Sequence, residues 1–164
     1  LYKWRMRNNS LSTAHFLLAP EEEAVKEKQN LENFIPEDKY RSSNITAEDC
    51  KRLTERLKNL IRDKKLYSNP ELKIGDLAKE LDVPAYILSY LFNQYLNRNY
   101  YDYINDYRIA EFKYLVNKGE HMTYTLNALI EKCGFNSRAS FFRHFKRATG
   151  MTPNEYIKGF RKPN

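Results

Sequence analysis

Residues 134–156 read Gly134-Phe-Asn-Ser-Arg-Ala-Ser-Phe-Phe-Arg-His-Phe-Lys-Arg-Ala-Thr-Gly-Met-Thr-Pro-Asn-Glu-Tyr156. Phe141, Phe145 and Ala148 recur in it at the spacing of an α-helix. This spacing predicts a helix over residues 137–149 with those three side chains on its buried face. Three further residues mark the start of another helix, as capping hydroxyl, first helical position and capping-box acid: Thr152, Pro153 and Glu155.

A short apolar helix precedes this stretch and leads into it through a tight turn. Leu126, Leu129 and Ile130 form the apolar stripe of that helix, and Gly134-Phe135 provides the turn. Two short helices joined by a tight turn, with the second beginning directly after it, are the helix-turn-helix arrangement. The stretch therefore predicts one such unit near the C-terminal end of the sequence.

A second copy of the pattern lies 52–53 residues earlier in the chain. Residues 74–78 align with residues 126–130 at an offset of 52, and residues 97–104 align with residues 150–157 at an offset of 53. Each copy reads as a short helix, a turn, a second helix and a Tyr-Ile helix, with Asp82-Val83 as the first turn. Helices this short need packing against neighbours to be stable in water. The repeat predicts two similar units, and a tandem helical hairpin used for protein contacts is the alternative that it leaves open.

The predicted fold class is all-α, because no segment alternates between apolar and polar residues as a strand does. We expect two helix-turn-helix subdomains, because the pattern occurs twice. The first unit should occupy residues 46–99 and the second residues 119–164. A long helix within residues 100–118 should join them.

The formal net charge is +7, and most of the excess lies near the C-terminal end. Residues 121–164 hold eight basic and two acidic side chains, whereas residues 46–99 hold ten and eight. A basic surface concentrated in this way attracts a polyanion, with nucleic acid as the first candidate. A solvated basic face without a partner is the alternative that charge alone leaves open.

The predicted helix over residues 137–149 has an outward face that suits DNA. An arginine can bind a guanine edge through two hydrogen bonds, small residues allow close approach, and flanking cations neutralise phosphates. The helix N-terminus adds backbone N–H groups suited to a phosphate. Phe142 on this face has two interpretations, because it can pack against thymine methyls or complete the core at the helix edge. The candidate DNA-binding residues of this unit are Arg138, Ala139, Ser140, Phe142, Arg143, Lys146 and Arg147.

The second helix of the first unit presents an uncharged outward face. Asparagine and glutamine can pair with adenine, and tyrosine rings can contact methyl groups or sugars. Such a face adds little electrostatic attraction, so the second unit should supply most of the phosphate binding. The residues expected to point outward are Tyr86, Ser89, Tyr90, Asn93 and Gln94.

Residues 134–156 as a whole resemble the motif of AraC/XylS-type transcription regulators. Leu77-Ala78, Leu88-Ser89 and residues 104–109 resemble the first unit and linker helix of the same family, so the resemblance covers roughly residues 46–160. It implies an AraC-type DNA-binding domain of about seven helices, with two homeodomain-like helix-turn-helix subdomains joined by a long linker helix. It also implies sequence-specific promoter binding, with two recognition helices in successive major grooves of one DNA face. The DNA-contacting positions that it carries over are Tyr86, Ser89 and Tyr90 in the first unit and Arg138, Ala139, Phe142 and Arg143 in the second.

Three residues depart from the family pattern. Ile130 stands where a small alanine is usual, which is expected to change how closely the two helices of the second unit pack. Asp82 replaces the usual turn glycine, and Pro84 replaces a capping serine. These two changes are expected to alter how the first unit sits on DNA.

No pattern in the sequence indicates catalysis. The three histidines have no partner at the spacing of a metal site or a catalytic triad, and no glycine-rich phosphate loop is present. Cys50 and Cys133 lie too far apart to form a metal knuckle and suit a reducing cytosol. We therefore expect a non-enzyme without catalytic residues, cofactor or metal, in which Cys133 and His144 are packing residues.

The expected partner is double-stranded DNA at a promoter or operator, with RNA polymerase as a further candidate. A helical module that binds another protein through the same basic face is the rival function. Residues 1–45 read as a linker segment from a larger protein, with one helix over residues 20–34. Residues 1–7 mix aromatic and basic side chains, as the flanks of membrane helices do, so tethering to the inner membrane and a solvated linker are both open. We expect a monomeric fragment of a cytoplasmic protein that dimerises through a missing upstream region.

Overall fold

The computed structural model describes residues 45–160 as helices joined by short turns, with no strand in that range. Two 3-10 turns, Leu66–Ser68 and Glu120–Met122, follow the two longest helices, and a π-helical turn, Leu91–Tyr95, prolongs the third helix. The predicted all-α class is confirmed for these residues. The linker, the helix over residues 20–34 and the basic residues 1–7 fall outside the described part, apart from Ile45. The α-helices are α1 (Ala47–Lys64), α2 (Ile74–Glu80), α3 (Ala85–Tyr90), α4 (Tyr100–Asn117), α5 (Leu126–Lys132), α6 (Arg138–Thr149) and α7 (Pro153–Lys158).

Side-chain hydroxyls begin most of these helices, as the sequence indicates. The predicted capping box of α7 is present, since the Thr152 hydroxyl accepts from the Glu155 backbone N–H at 3.3 Å and the Glu155 carboxylate accepts from the Thr152 N–H at 2.7 Å. The Ser137 hydroxyl caps α6 by accepting from the Ser140 backbone N–H at 3.3 Å. Pro84 precedes α3 with no side-chain cap hydrogen bond. The first N–H groups of α3 are therefore not capped by a side chain of the residue before it.

The repeat extends further along the backbone than along the side chains. The same order of backbone elements occurs twice, starting at α1 and at α4: an 18-residue helix, a left-handed residue, a 3-10 turn, a seven-residue helix, a second left-handed residue and a third helix that is followed by a third left-handed residue. The sequence repeat begins only at α2 and α5, whereas the backbone repeat begins at α1 and α4. The left-handed positions are non-glycine in the first unit and glycine in the second. The matched pairs are Lys65 and Gly119, Asp82 and Gly134, and Asn97 and Gly150.

Asp82 adopts the left-handed backbone conformation that Gly134 has in the second unit. Its φ is 53°, and aspartate tolerates the left-handed region better than most residues do. The turn of the first unit is therefore conserved in shape despite the substitution. Ile130, unlike the exposed Asp82, is buried at 3% exposure and belongs to the core of the second unit.

Each unit has its own apolar core, and α4 contributes to both. Tyr100, Tyr103 and Ile104 lie in the first core, whereas Phe112 and Val116 lie in the second. Helical spacing in the sequence predicts one buried stripe along α4, formed by Tyr103, Tyr107, Ala110 and Tyr114. This prediction is wrong at the C-terminal end of the helix, where Ala110 and Tyr114 are exposed. The buried face changes along the helix because α4 packs against a different unit at each end.

Candidate nucleic-acid interface

An aromatic cluster fixes α6 against the rest of the second unit. Phe141 and Phe145 are fully buried, and their ring centroids lie 4.7 and 5.3 Å from that of Phe112 on α4. Ala148, predicted to share this buried face, is exposed instead, and the third buried side chain of α6 is His144. The buried positions follow the spacing i, i+3, i+4, which turns the opposite side of α6 outward.

The outward side of α6 presents cations that have no acidic partner. Arg138, Arg143 and Lys146 are exposed, and none of them forms a salt bridge with an acid in residues 45–160. Ala139 and Ser140 are half-buried near the N-terminus of the helix. Small side chains between exposed cations leave room for a base-pair edge or a phosphate to approach the helix.

Phe142 sits at the border between this face and the core. Its side chain is half-buried and packs against the second core, with a ring centroid 5.8 Å from that of Phe141. The guanidinium of Arg138 lies over the ring, 5.0 Å from its centroid. The structure favours the core interpretation of Phe142, and the ring also supports Arg138 through a cation–π contact.

Arg147 differs from the other cations because it is bound within the protein. Its guanidinium donates to the Asp102 carboxylate of α4 at 2.8 Å and to Nδ1 of His144 at 3.0 Å. The Nε2 atom of His144 lies 3.0 Å from the side-chain amide of Asn105, also on α4. Arg147, predicted to face DNA, therefore ties α6 to α4, although its side chain remains 57% exposed.

The polar contacts continue from α4 into the first unit. Arg108 donates to the backbone carbonyls of Tyr67 and Asn69, at 2.8 and 2.9 Å, and to the Asn105 side-chain oxygen at 3.3 Å. Gly134, in the turn of the second unit, packs directly against the backbone of Tyr67 and Ser68. A continuous chain of contacts thus runs from the 3-10 turn Leu66–Ser68 of the first unit to α6 of the second. These contacts fix the two units relative to each other.

Sequence reasoning missed three residues of this chain of contacts, Asp102, Asn105 and Arg108. A signal was present, because they follow one another at a spacing of three along a helix whose other positions are mostly apolar. Polar side chains at that spacing share one face of a helix. Asn105 and Arg108 are buried, and buried polar groups need hydrogen-bond partners.

The outward face of α3 is neutral, as predicted, with one correction. Ser89 is only 4% exposed, because α3 buries two adjacent positions, Leu88 and Ser89, in the same turn. Its predicted outward position was wrong, and its hydroxyl is withdrawn from the surface. Tyr86 and Tyr90 are half-exposed, and the two amides of the face, Asn93 and Gln94, are exposed on the π-helical turn.

We expect acid to destabilise the fold through His144, which is confirmed as a buried packing residue. Burial lowers the pKa of His144, and the positive charge of Arg147 lowers it further. The unfolded chain then takes up the proton first, so stability is retained above about pH 6.5 and falls as the pH drops below it. Urea unfolding between about pH 7.5 and about pH 5.5 measures the decline. His144→Gln should decline less, and an equal decline in both proteins would contradict this assignment.

Residues 45–160 show no sign of a metal site or a membrane span. That part of the chain contains no group of three or more His, Cys, Asp or Glu side chains placed to hold a metal ion. No helix in this range combines the length and the apolar character that are needed to cross a membrane. Cys50 and Cys133 are both buried and unpaired, and burial raises the pKa of the Cys133 thiol to about 12. Cys133 is thus a packing residue, as the sequence predicts.

Comparison with known proteins places these features in a family. A family model described as a helix-turn-helix domain matches residues 77–159, about half of the chain. The transcriptional regulatory protein HptR of Staphylococcus aureus is 27% identical over 88 residues, which are 54% of this chain and 33% of HptR. An uncharacterized response regulatory protein of Staphylococcus epidermidis is 29% identical over 94 residues, 57% of this chain and 36% of that protein. The chain spans about a third of the length of these curated relatives.

A solved structure from Geobacillus stearothermophilus, the C-terminal domain of the response regulator AraT, has the same fold. It matches with a TM-score of 0.53 and 20% identity, over 74% of this chain and 95% of that domain. The order of the helices and the contribution of α4 to both cores are consistent with the match to the helix-turn-helix family model. This chain belongs to the AraC-type helix-turn-helix family of DNA-binding transcription regulators.

Proposed function

We propose that residues 46–160 bind duplex DNA sequence-specifically, with α3 and α6 in successive major grooves of one DNA face. The observation that carries the proposal is that two copies of one helix-turn-helix unit share α4 and are locked together by Arg108, Asn105 and His144. Two recognition helices held at a fixed separation suit two half-sites of a duplex. The family is not an enzyme class.

Because polar contacts hold the two units in one arrangement, we expect the DNA and not the protein to change shape on binding. With 18 residues, α4 is about 27 Å long, and the major groove returns to one DNA face about every 34 Å. Any mismatch between the two recognition helices and the groove spacing falls on the duplex, because the polar contacts hold the protein in one arrangement. Bending a site of 20–30 base pairs costs on the order of 1–6 kcal/mol.

The two units contribute unequally to affinity in this proposal. The second unit presents Arg138, Arg143 and Lys146 without salt bridges, whereas α3 and the following π-helical turn carry no charged side chain. Neutralising phosphates supplies most of the non-specific affinity of DNA-binding proteins. We propose that the second unit anchors the protein on DNA and that the first adds discrimination.

Salt dependence of duplex binding tests the function itself. Binding of a promoter fragment should weaken steeply as the salt concentration rises, because each phosphate contact releases condensed counterions. Substituting Lys146 by Ala should reduce the slope of log K against log salt by about one. A protein-interaction module that uses the same basic face would show no duplex binding with this slope, which separates the rival function from the proposed one.

The Tyr86→Ala, Tyr90→Ala double variant tests the division of labour. We expect lower specificity for the preferred site and nearly unchanged affinity for random-sequence duplex, because the two rings carry no charge. Titration of both duplexes at one salt concentration, with wild type alongside, measures the ratio. A large loss on random sequence would show that the neutral face supplies general affinity, and the division of labour would be wrong.

The relatives suggest a setting for this activity. HptR is a transcriptional regulatory protein, and AraT is a response regulator whose C-terminal domain shares this fold. We propose that this chain is the DNA-binding output part of a longer regulator. Such a regulator would also contact RNA polymerase and would dimerise through other regions. The 164-residue chain alone would sediment as a monomer.

A further inference from the structure

The neutral face of the first unit has a chemistry that discriminates between base pairs. Residues 85–97 contain no lysine or arginine, and the next cation, Arg98, donates to Asp106 at 2.6 Å and lies over the Tyr103 ring. Guanine is most often recognised by an arginine or lysine that reaches its O6 and N7 atoms together. On this face no such side chain is available, and the hydroxyl of Ser89 is buried.

The π-helical turn decides which side chains share the face. The Leu96 N–H donates to the Leu91 carbonyl, five residues back, at 2.8 Å. Each residue of this turn therefore rotates the chain about the helix axis by a smaller angle than in an α-helix. A regular α-helix would carry Gln94 about 80° away from Tyr86 around the axis. Because a π-helical turn holds more residues per turn, we expect Gln94 to lie nearer the line through Tyr86 and Tyr90 than it would in a regular α-helix. Gln94 and its neighbour Asn93 are both exposed.

The functional groups on this face match one kind of base pair. A glutamine or asparagine amide can bind the N6 and N7 atoms of adenine with two hydrogen bonds, and an apolar surface can contact the thymine methyl group. We propose that the first unit reads A·T base pairs, with Gln94 and Asn93 on adenines and the rings of Tyr86 and Tyr90 against thymine methyls. The proposal rests on the proposed function. It makes the DNA site asymmetric, since Arg143 of the second unit suits a guanine.

Selection from a random duplex library with the full 164-residue chain tests this proposal. We expect a bipartite site with half-sites about 10–10.5 base pairs apart, one composed of A·T pairs and the other containing a fixed G·C pair. Replacing an A·T pair of the first half-site by G·C should lower affinity about five- to 150-fold. A first half-site with a fixed G·C pair, or with no preference, would overturn the inference and leave DNA binding intact. Failure to enrich any sequence would overturn the proposed function.

The Gln94→Arg variant assigns the half-site to its unit. Gln94 is exposed, so the substitution leaves the core unchanged and adds the guanine-reading group that α3 lacks. We expect one A·T position of the first half-site to become G·C, with the other half-site unchanged. Asn59→Arg, which adds the same charge on exposed surface of α1, is the matched control and should leave the selected sequence unaltered. An unchanged sequence with Gln94→Arg would show that this side chain does not face the bases.

Discussion

The Gly134→Ala variant is expected to lose about 2–5 kcal/mol of unfolding free energy, because two independent penalties coincide at this residue. The φ of Gly134 is 90°, a conformation that disfavours any side chain. An added Cβ would also collide with the carbonyl oxygen of Tyr67 and lie 2.9 Å from two backbone atoms of Ser68. Backbone atoms of a packed turn cannot move aside as the end of a flexible side chain can. Urea unfolding of wild type and variant measures the loss.

Gly150 provides the matched control for this experiment. Its φ is 77°, but a Cβ added there would meet no atom within 4 Å, so Gly150→Ala carries the backbone strain without the collision. We expect it to lose only about 1–2 kcal/mol. The difference between the two variants measures how tightly the turn of the second unit is held against the first. Equal losses would mean that the two units separate easily, and the rigid arrangement proposed for DNA binding would be wrong.

Arg143→Ala should weaken binding to the preferred DNA site by about 1–3 kcal/mol and relax base preference at one position. Arg143 is exposed on the outward side of α6 and forms no salt bridge within residues 45–160, whereas Arg147 on the same helix is tied to Asp102. A guanidinium that is not engaged elsewhere can bind a guanine edge with two hydrogen bonds. Competition between the preferred site and its single-base variants measures both effects.

Lys146→Ala is the control for Arg143→Ala, since Lys146 lies one helical turn away on the same face. A lysine that contacts phosphate weakens all duplexes alike when removed, without changing the preferred sequence. If both variants lose affinity equally on every duplex, Arg143 is a phosphate contact and not a base contact. The second half-site would then have no assigned reader of guanine.

The roles of Arg147 and Ser89 could not be predicted from α6 and α3 alone. Helical spacing places Arg147 beside Arg143, yet Asp102 of α4 binds Arg147 and leaves Arg143 exposed. Spacing also places Ser89 next to the outward Tyr90, yet the first core covers it. Each of these outcomes depends on how the helix packs against other parts of the chain. The periodicity of a single helix carries no information about such contacts.

The sequence by itself determined the helices, the two-unit repeat, the helix caps and the basic face of α6. These features depend on contacts between residues a few positions apart, and local spacing describes such contacts directly. The tertiary structure alone decided that α4 serves both cores, that Arg108 and Asn105 connect the units, and that Gly134 packs on the backbone of the first unit. The π-helical turn Leu91–Tyr95, which contains Gln94, is likewise visible only in the tertiary structure. The physical reason is that these features depend on which distant segments meet in the packed chain.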